Sequence, residues 1–260
     1  MQQKKTSQEE RSAGGFCLDC GVEHALNEGD ARLHCRALMQ FLEEEERIDI
    51  LAAKGKEDPL LTTAGLFSQS RGKMFGIMVC RAADGSERLL RAFSGQYNGI
   101  WEVDGWAPPI FDTGTFNRIY ADIEPQVKQL GQEIDFTVHH SAQWRDLTEQ
   151  RRQLSRQWMR GIHALYTLRN FRGQKRLLAD AFAGSGGIPT GTGDCCAPKL
   201  FNQAACENLT PLGLAEFYWG RENVSLTRHH GHFYPSCAGK CAPILGFMLC
   251  GLDKLLLRQG

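Results

Sequence analysis

Apolar residues return at helical spacing in two parts of the chain. In residues 30–47 they predict one amphipathic helix, whose apolar stripe consists of Leu33, Ala37, Leu38, Phe41 and Leu42. Residues 116–183 are charged and helical in pattern, and they predict a helical insertion or a helical hairpin. The two apolar stripes of this insertion are Ile119, Ile123, Val127 and Leu130, and then Leu154, Trp158, Ile162 and Leu165.

Short apolar runs between these two helical regions predict strands. Residues 73–79 and 89–93 are apolar and rich in β-forming side chains, with an Asp-Gly turn at 84–85 between them. Together they predict a β-hairpin. Residues 99–111 contain two tryptophans and two prolines, so they predict an irregular aromatic loop that packs over a sheet edge.

The last quarter of the chain alternates helix and strand signals. A connector rich in Gly, Ser, Thr and Pro at 184–193 precedes a predicted helix that begins near Cys195, a strand at 214–219 and a helix at 240–257. A histidine-rich turn separates the last two elements. The order hairpin, insertion, helix, strand, helix predicts an α+β fold with a mixed sheet, flanking helices and a helical insertion.

Length and composition predict one domain behind a polar tail. The chain has 260 residues, of which 42% are hydrophobic, so it can bury a substantial core. Residues 1–15 are polar and charged, lack the apolar centre of a signal peptide, and predict a disordered tail. The predicted single domain covers residues 16–260. Its parts are an N-terminal helical part at 16–66, the hairpin and aromatic loop at 67–112, the helical insertion at 116–183 and the Cys/His site region at 190–258.

The charges balance overall but not locally. Lys plus Arg and Asp plus Glu number 30 each, so no global charge indicates nucleic acid or an acidic surface as the partner. The stretch 145–176 is basic, and such a helical face could meet RNA phosphates. Asp146 and Glu149 interrupt it and Asp180 follows it, so a solvated helix surface is the other interpretation. The basic side chains are Arg151, Arg152, Arg156, Arg160, Arg169, Arg172, Lys175 and Arg176.

The expected compartment decides how the cysteines are interpreted. No apolar run reaches the roughly 18 residues that span a bilayer, so the sequence predicts a cytoplasmic protein with no membrane partner. In a reducing compartment the ten cysteines are expected to stay free of disulfides. Clustered cysteines are then candidates for metal ligation or catalysis, and isolated ones are small core residues.

Three cysteines at predicted helix starts form the main candidate site. Cys195 precedes Pro198, and Cys237 and Cys241 lie between two further prolines. Sulfur at the positive end of a helix dipole has a lowered pKa, which suits metal ligation or nucleophilic attack. The pattern predicts a zinc site formed by these three cysteines, with His232 or a water in the fourth position.

The histidines at 229–232 and two further cysteines near the C-terminus give weaker indications of a site. Of His229, His230 and His232, one is expected to be a metal ligand or a general base, and on a strand His230 and His232 would share a face. Cys206 and Cys250 occur singly in apolar helices, where they are interpreted as small core residues.

A further cysteine pair lies near the N-terminus. Cys17-x2-Cys20, with His24, His34 and Cys35 after it, resembles half of a zinc knuckle. Because His34 and Cys35 are adjacent, the spacing of the second half differs from that of a standard finger. An adventitious pair and a second metal site both remain open.

Six motifs together carry a resemblance to a known family. They are Gly72-Lys73-Met74-Phe75-Gly76, Ala92-Phe93-Ser94-Gly95, Pro108-Pro109-Ile110-Phe111-Asp112, Gly193-Asp194-Cys195-Cys196-Ala197-Pro198-Lys199-Leu200, Ala215-Glu216-Phe217-Tyr218-Trp219-Gly220 and Phe233-Tyr234-Pro235-Ser236-Cys237. From about Leu33 to Asp253 the chain resembles the extra N-terminal region of one group of RluA-type pseudouridine synthases. In that group the region is joined to a synthase domain with a catalytic aspartate in an Arg-Leu-Asp context, and this chain contains no Arg-Leu-Asp. The resemblance implies a role in RNA modification, with RNA and a separate pseudouridine synthase as partners.

The element order is also similar to the zinc-dependent nucleobase deaminase fold, in which a helix opened by a ligand and a helix opened by paired cysteines hold the metal. This resemblance implies the same three cysteines as zinc ligands. Ala197 stands where that family has its proton-shuttling glutamate, and the cysteine pair has three intervening residues rather than two. Asp194 and Glu216 are the candidates to replace the missing carboxylate.

Three functions therefore stay open on the sequence. The first is a zinc-binding, deaminase-like module in RNA modification, either as a divergent enzyme or as an RNA-binding accessory. The second is a cysteine-dependent hydrolase or acyltransferase with Cys195 as nucleophile and His230 or His232 as base. The third is a non-enzymatic RNA- or protein-binding scaffold whose metal only staples the core.

Overall fold

Strands and helices follow one another along the part of the chain that the structure describes. The structure is a computed structural model and describes residues 11–69 and 71–259. The elements are β1 (Arg11–Cys17), β2 (Val22–Asn27), α1 (Ala31–Glu45), β3 (Lys73–Arg81), β4 (Glu87–Phe93), α2 (Thr113–Phe136), α3 (Ala142–His163), β5 (Thr167–Arg169), β6 (Lys175–Leu177), α4 (Leu178–Ala181), α5 (Cys196–Cys206), β7 (Thr210–Trp219), α6 (Ala242–Leu249) and α7 (Leu252–Gln259).

A three-stranded sheet of order β4-β3-β7 lies between two apolar layers. Successive side chains of a strand point to opposite faces. Phe75 and Ile77 of β3 pack in a cluster with α1, and Met78 packs in a cluster with α5 and α6. In the register of the sheet, Gly76 of β3 lies opposite Glu216 of β7. Both of these residues belong to the face that α5 and α6 cover.

The α+β class predicted from the sequence is confirmed. The predicted hairpin at 73–93 and the predicted helix at 30–47 are present as β3–β4 and α1. The described strands pair antiparallel rather than in a mixed sheet, because β7 takes the free edge of β3 and runs opposite to it. Strands that are buried on both faces have similar apolar patterns, so the sequence does not identify this edge.

An N-terminal hairpin packs on the last helices. Of the predicted tail, residues 1–10 lie outside the described residues, and the prediction is wrong for residues 11–15, which belong to β1. β1 pairs with β2 and crosses α6 at backbone contact: a Cβ on Gly246 would lie 2.0 Å from the carbonyl oxygen of Phe16. This long-range packing orders a strand of small and polar residues that has no strong local pattern.

The helical insertion begins as an antiparallel helical hairpin of α2 and α3. The side chains of Asp112 and Ser141 cap the two helices by accepting hydrogen bonds from the backbone N–H groups of Thr115 (2.7 Å) and Trp144 (3.1 Å). No described side chain of α2 is fully buried. The two helices are therefore held mainly by each other and remain in contact with solvent.

The end of the insertion differs from the prediction. Residues 164–183, predicted as helical, contain β5, β6 and the short helix α4. The carboxamide oxygen of Asn170 accepts hydrogen bonds from the backbone N–H groups of Arg172 and Gln174, which closes a tight turn. The side chain of Leu168 in β5 is fully buried. Turn chemistry and burial override the helical spacing of the apolar residues here.

The predicted helical regions at the two ends of the chain are also interrupted. Residues 16–66 contain β2 and two 3-10 turns in addition to α1. The predicted helix at 240–257 is divided into α6 and α7 at Gly251, whose φ is +97°. A Cβ at this glycine would lie 2.9 Å from the carbonyl carbon of Phe171. Among the described helices, none combines the length and the apolar character needed to cross a bilayer.

Candidate metal centre

Three thiols meet where two helices begin. Cys195 is the N-cap of α5, Cys241 is the N-cap of α6, and Cys237 precedes Cys241 by four residues. The three sulfur atoms all lie within 4.8 Å of one another, and those of Cys237 and Cys241 are 3.4 Å apart. Tetrahedral zinc with Zn–S bonds of about 2.3 Å holds neighbouring sulfurs about 3.8 Å apart. The group could therefore hold a metal ion and leave a fourth position for another ligand.

Local backbone structure places these cysteines. The backbone N–H groups of Cys241 and Ala242 both donate to the carbonyl oxygen of Cys237 at 3.1 Å, and this turn aims both thiols at one point. Pro198 and Pro243 lie in the first turns of α5 and α6, where a missing backbone N–H costs nothing. The prediction of a helix start is confirmed for Cys195 and Cys241, and Cys237 lies in the turn that precedes α6.

Hydrogen bonding within the group favours one thiolate. Hydrogen bonds from Cys195 and Cys241 lower the pKa of Cys237, and the backbone N–H groups of Cys241 and Lys240 lower it further. The hydrogen bond with Cys237 raises the pKa of Cys195, and hydrogen bonds with both partners raise that of Cys241. A thiolate that is stabilised at a helix start is the form that attracts a soft cation.

Glu216 brings a carboxyl group to the same region from β7. Its side chain is 4% exposed, and its Oε1 accepts a hydrogen bond from Oγ of Ser236 at 2.8 Å. Burial raises the pKa of Glu216 to about 7, although the hydrogen bond from Ser236 and the backbone N–H of Ala197 lower it. The negative charge of Cys237 raises it as well. The carboxyl group can thus gain or lose a proton near neutral pH, as a general acid–base requires.

The central strand leaves room for this carboxyl group. Gly76 lies opposite Glu216 in the register of β3 and β7. A Cβ at Gly76 would lie 3.0 Å from Cβ of Cys196 and 3.2 Å from Cγ of Glu216. Any larger residue would push one of these side chains aside. The glycine in the Lys-Met-Phe-Gly motif therefore has a specific packing role.

Asp194, the other candidate carboxylate, is directed elsewhere. Its Oδ1 accepts a hydrogen bond from the hydroxyl of Tyr166 at 2.6 Å. Burial raises the pKa of Asp194, while the hydrogen bond from Tyr166 lowers it. Among the described residues, neither its carboxylate nor that of Glu216 belongs to the set of ligand atoms that lie within 4.8 Å of one another at the three cysteines.

The structure does not bring the two candidate histidines into the cysteine group. Nδ1 of His230 accepts a hydrogen bond from the backbone N–H of Gly220 at 3.1 Å, and its ring packs on Trp219 at 4.2 Å between centroids. His232 is exposed, and its ring lies 5.6 Å from that of His229. Of the four predicted metal ligands, the described structure gathers the three cysteines and not His232.

A second group of metal-ligand side chains lies beside the N-terminal hairpin. Cys17, Cys20, His24 and Cys250 have ligand atoms within 4.8 Å of one another. The Cys-x2-Cys pair and His24 were visible in the sequence as half of a zinc knuckle. Cys250 is buried, as a core cysteine should be, but it also belongs to this group. It lies 230 positions from Cys20, so no local motif could have included it.

The prediction for Cys206 is wrong. Cys206, interpreted from the sequence as a buried core residue, is exposed at the end of α5. Helical apolar spacing does not distinguish the last turn of a helix, where side chains can reach solvent, from its buried centre.

Both groups could hold a metal ion, and their donor chemistry fits zinc. Thiolate sulfur and imidazole nitrogen are the ligands that zinc prefers in proteins. The groups differ in composition: the first has three thiols and can keep an open position, whereas the second has four ligands and can close the coordination shell.

Comparison with models of protein families, with curated proteins and with solved structures finds no match for this chain.

Proposed function

We propose that the protein is a zinc-binding, deaminase-like module associated with RNA modification, in which Glu216 supplies the carboxylate that position 197 lacks. The element order supports the proposal. The hairpin β3–β4 is followed by α5, β7 and α6, with β7 beside β3, and thiols lie at the starts of both helices. This is the order that the resemblance to nucleobase deaminases implies.

The observation that carries the proposal is the position of Glu216. In the related family the glutamate stands two residues after the first ligand, a place that Ala197 occupies here. Glu216 reaches the region of the helix starts from the neighbouring strand, on the sheet face that α5 covers. Its partner Ser236 is adjacent to Cys237 in the chain. A buried carboxyl group is costly unless it has a function or a partner, and this one is close enough to Cys237 for the negative charge of that thiolate to raise its pKa.

The chemistry divides between the metal site and Glu216. Zinc held by Cys195, Cys237 and Cys241 would supply Lewis acidity and make water a better nucleophile at neutral pH. The carboxylate of Glu216 would accept a proton at the start of the reaction and donate one to the departing amine. Ser236 fixes the direction of the carboxyl group by its hydrogen bond to Oε1. Burial raises the pKa of Glu216 to about 7, and the positive charge of a bound zinc ion would lower it from there.

A cysteine-dependent hydrolase explains the geometry less well. Such an enzyme needs an imidazole within hydrogen-bonding distance of its thiol. The ring of His230 accepts a hydrogen bond from the backbone N–H of Gly220, which directly follows β7. Gly220 lies four residues beyond Glu216, which is about 13 Å along the strand at ~3.3 Å per residue. The hydrogen bonds of Cys195 go to the other two cysteines, and Cys237 and Cys241 would have no role.

The proposed RNA association rests on the resemblance to synthase-linked regions and on α3. The side chains of Arg152, Arg156 and Arg160 are exposed and recur every four residues, so they share one face of this helix. One of them, Arg152, pairs with Glu149 at 2.6 Å. The remaining positive charge on that face could meet phosphates of RNA, on which a separate pseudouridine synthase would also act.

Reversal of charge on this face should weaken RNA binding. The double variant Arg156→Glu/Arg160→Glu is expected to bind single-stranded RNA at least about tenfold more weakly and with a smaller dependence on salt, because phosphate contacts release counterions. Fluorescence anisotropy at several salt concentrations measures both quantities. Arg118→Glu/Lys128→Glu on α2 is the matched control. Equal effects in the two double variants would show that this face of α3 is a solvated surface.

Metal analysis tests the first element of the proposal. The Cys195→Ser and Cys237→Ser variants should each contain one equivalent of zinc less than the wild-type protein, because a site with two thiols and no other ligand binds zinc weakly. Elemental analysis of purified protein gives the stoichiometry, and Cys206→Ser, at an exposed position, is the control. If both variants keep the wild-type zinc content, the three cysteines do not form the metal site.

Assays for ammonia release distinguish a deaminase from a scaffold. A zinc-loaded protein that binds RNA but releases no ammonia from cytosine or adenine nucleosides, or from single-stranded RNA, would be the non-enzymatic scaffold, and the catalytic part of the proposal would be wrong. Release of ammonia that stops on removal of zinc supports the proposal.

A further inference from the structure

We propose that Cys17, Cys20, His24 and Cys250 hold a second zinc ion, which is structural and clamps the N-terminal hairpin to the end of α6, and that Asp253 positions the histidine ligand. This inference concerns a different site from the proposed catalytic centre and does not depend on it. The four ligands form a Cys3His set, which is typical of closed structural zinc sites.

The distances suit a tetrahedral ion. Nε2 of His24 lies 3.0 Å from Sγ of Cys20, and Sγ of Cys250 lies 3.8 Å from the same sulfur. With Zn–S bonds of about 2.3 Å and Zn–N bonds of about 2.0 Å, a tetrahedron places two sulfurs about 3.8 Å apart and sulfur and nitrogen about 3.5 Å apart. Small side-chain movements therefore complete the coordination.

The surroundings of the ligands also match a metal site. Nδ1 of His24 lies 3.0 Å from Oδ2 of Asp253, and the histidine is 7% exposed. A carboxylate on the second ring nitrogen fixes the tautomer and directs Nε2 to the thiols, as in carboxylate–histidine–zinc arrangements. Backbone N–H groups of Asp19 and Cys20 hydrogen-bond to the sulfur of Cys17, an arrangement that stabilises a thiolate. Four ligands and their hydrogen-bond partners thus converge at one place.

The position of the site explains its role. Three ligands come from the β1–β2 hairpin: Cys17 ends β1, Cys20 lies in the turn and His24 lies in β2. The fourth is the C-cap of α6. The N-cap of the same helix is Cys241, about 13 Å away at ~1.5 Å per residue. The hairpin also contacts the residue that precedes Cys237, since the backbone N–H of Ser236 donates to the carbonyl oxygen of Ser12 at 2.8 Å. A metal ion at the second site would hold the hairpin, and with it the helix that supplies Cys241.

Zinc content and hydrogen exchange test the clamp. The wild-type protein should contain two equivalents of zinc, and His24→Ala should contain one. Amide hydrogen exchange in residues 11–27 should become at least tenfold faster in His24→Ala, because the hairpin loses its attachment. Cys195→Ser should also lose one equivalent of zinc but leave hydrogen exchange in the hairpin unchanged. Loss of zinc from one site is therefore distinguishable from its loss from the other. Cys206→Ser should match the wild type in both measurements.

A milder variant covers the case in which His24→Ala does not fold. Asp253→Asn keeps all four ligands and should weaken zinc binding at this site by about 10- to 100-fold, measured by competition with a chelator. Cobalt substituted into the wild type should give the visible absorption of a tetrahedral site with thiolate ligands. The Cys195→Ser variant should retain part of this absorption, from the second site. Equal zinc content in His24→Ala and the wild type, or equal zinc affinity at this site in Asp253→Asn and the wild type, would overturn the proposal.

Discussion

Glu216→Gln is expected to reduce ammonia release from a nucleobase substrate by about 10²- to 10⁴-fold, because the amide cannot accept and return the proton that the reaction moves. The two side chains have nearly the same shape, and glutamine can still accept the hydrogen bond from Ser236. Zinc content and thermal stability should therefore stay close to those of the wild type. The rate of ammonia release under single-turnover conditions, the zinc stoichiometry and the thermal unfolding curve are measured on the same preparation.

Two further variants make the role of Glu216 specific. Ser236→Ala removes a hydrogen bond that lowers the pKa of Glu216, so this pKa should rise. The acidic limb of the pH–rate profile should then move to higher pH, since the ionised carboxylate is lost earlier as the pH falls. Asp194→Asn should leave that limb in place, because the Asp194 carboxylate faces Tyr166. Full turnover in Glu216→Gln, or a similar loss in Asp194→Asn, would contradict the assignment of Glu216.

Gly246→Ala is expected to lower the free energy of unfolding by at least about 4 kcal/mol. The added Cβ would lie 2.0 Å from the carbonyl oxygen of Phe16 and 2.6 Å from the backbone nitrogen of Cys17. These are backbone atoms of β1, so no side-chain rotation relieves the clash. The hairpin must move off α6, which separates Cys17 from Cys250. Urea unfolding followed by circular dichroism measures the loss, and zinc content should fall with it.

Gly161→Ala is the matched control for this prediction. It makes the same change within a helix, α3, where nothing lies within 4 Å of the added Cβ. Alanine has a higher helix propensity than glycine, so this variant should be more stable by about 0.5–1 kcal/mol. Opposite signs in the two variants would show that the effect at Gly246 arises from contact with β1. A stable Gly246→Ala protein would mean that the hairpin does not cross α6 at backbone contact.

Local chemistry explains which elements could be predicted. The hairpin β3–β4 has two apolar runs of β-forming residues around an Asp-Gly turn, and the α1 stripe has regular helical spacing, so both are visible in short windows. The turn formed by residues 170–174 was missed because it depends on one asparagine side chain. The break at Gly251 was missed because the apolar pattern continues across it, although the glycine has a positive φ.

The reach of local sequence patterns also decides which residues of the candidate site could be predicted. Cys195 and Cys241 begin helices that have a proline in their first turn, and Cys237 lies four residues before Cys241. Their type and spacing therefore indicate a common site before any contact is known. Glu216 lies in a strand whose residues from Leu214 to Trp219 are all buried. Alternation of polar and apolar residues therefore does not show which face the carboxyl group takes.

The chain pattern thus specifies an α+β protein with a hairpin, a helical hairpin and three cysteines at two helix starts, because propensity, turn chemistry and helix capping act over a few residues. Tertiary packing decides three further features: the pairing of β7 with the free edge of β3, the burial of Glu216 on the sheet face that α5 covers, and the meeting of Cys250 with Cys17 across nearly the whole chain. Such contacts join residues far apart in sequence, and they are selected by the burial of entire faces and by the close backbone approach that Gly15 and Gly246 allow.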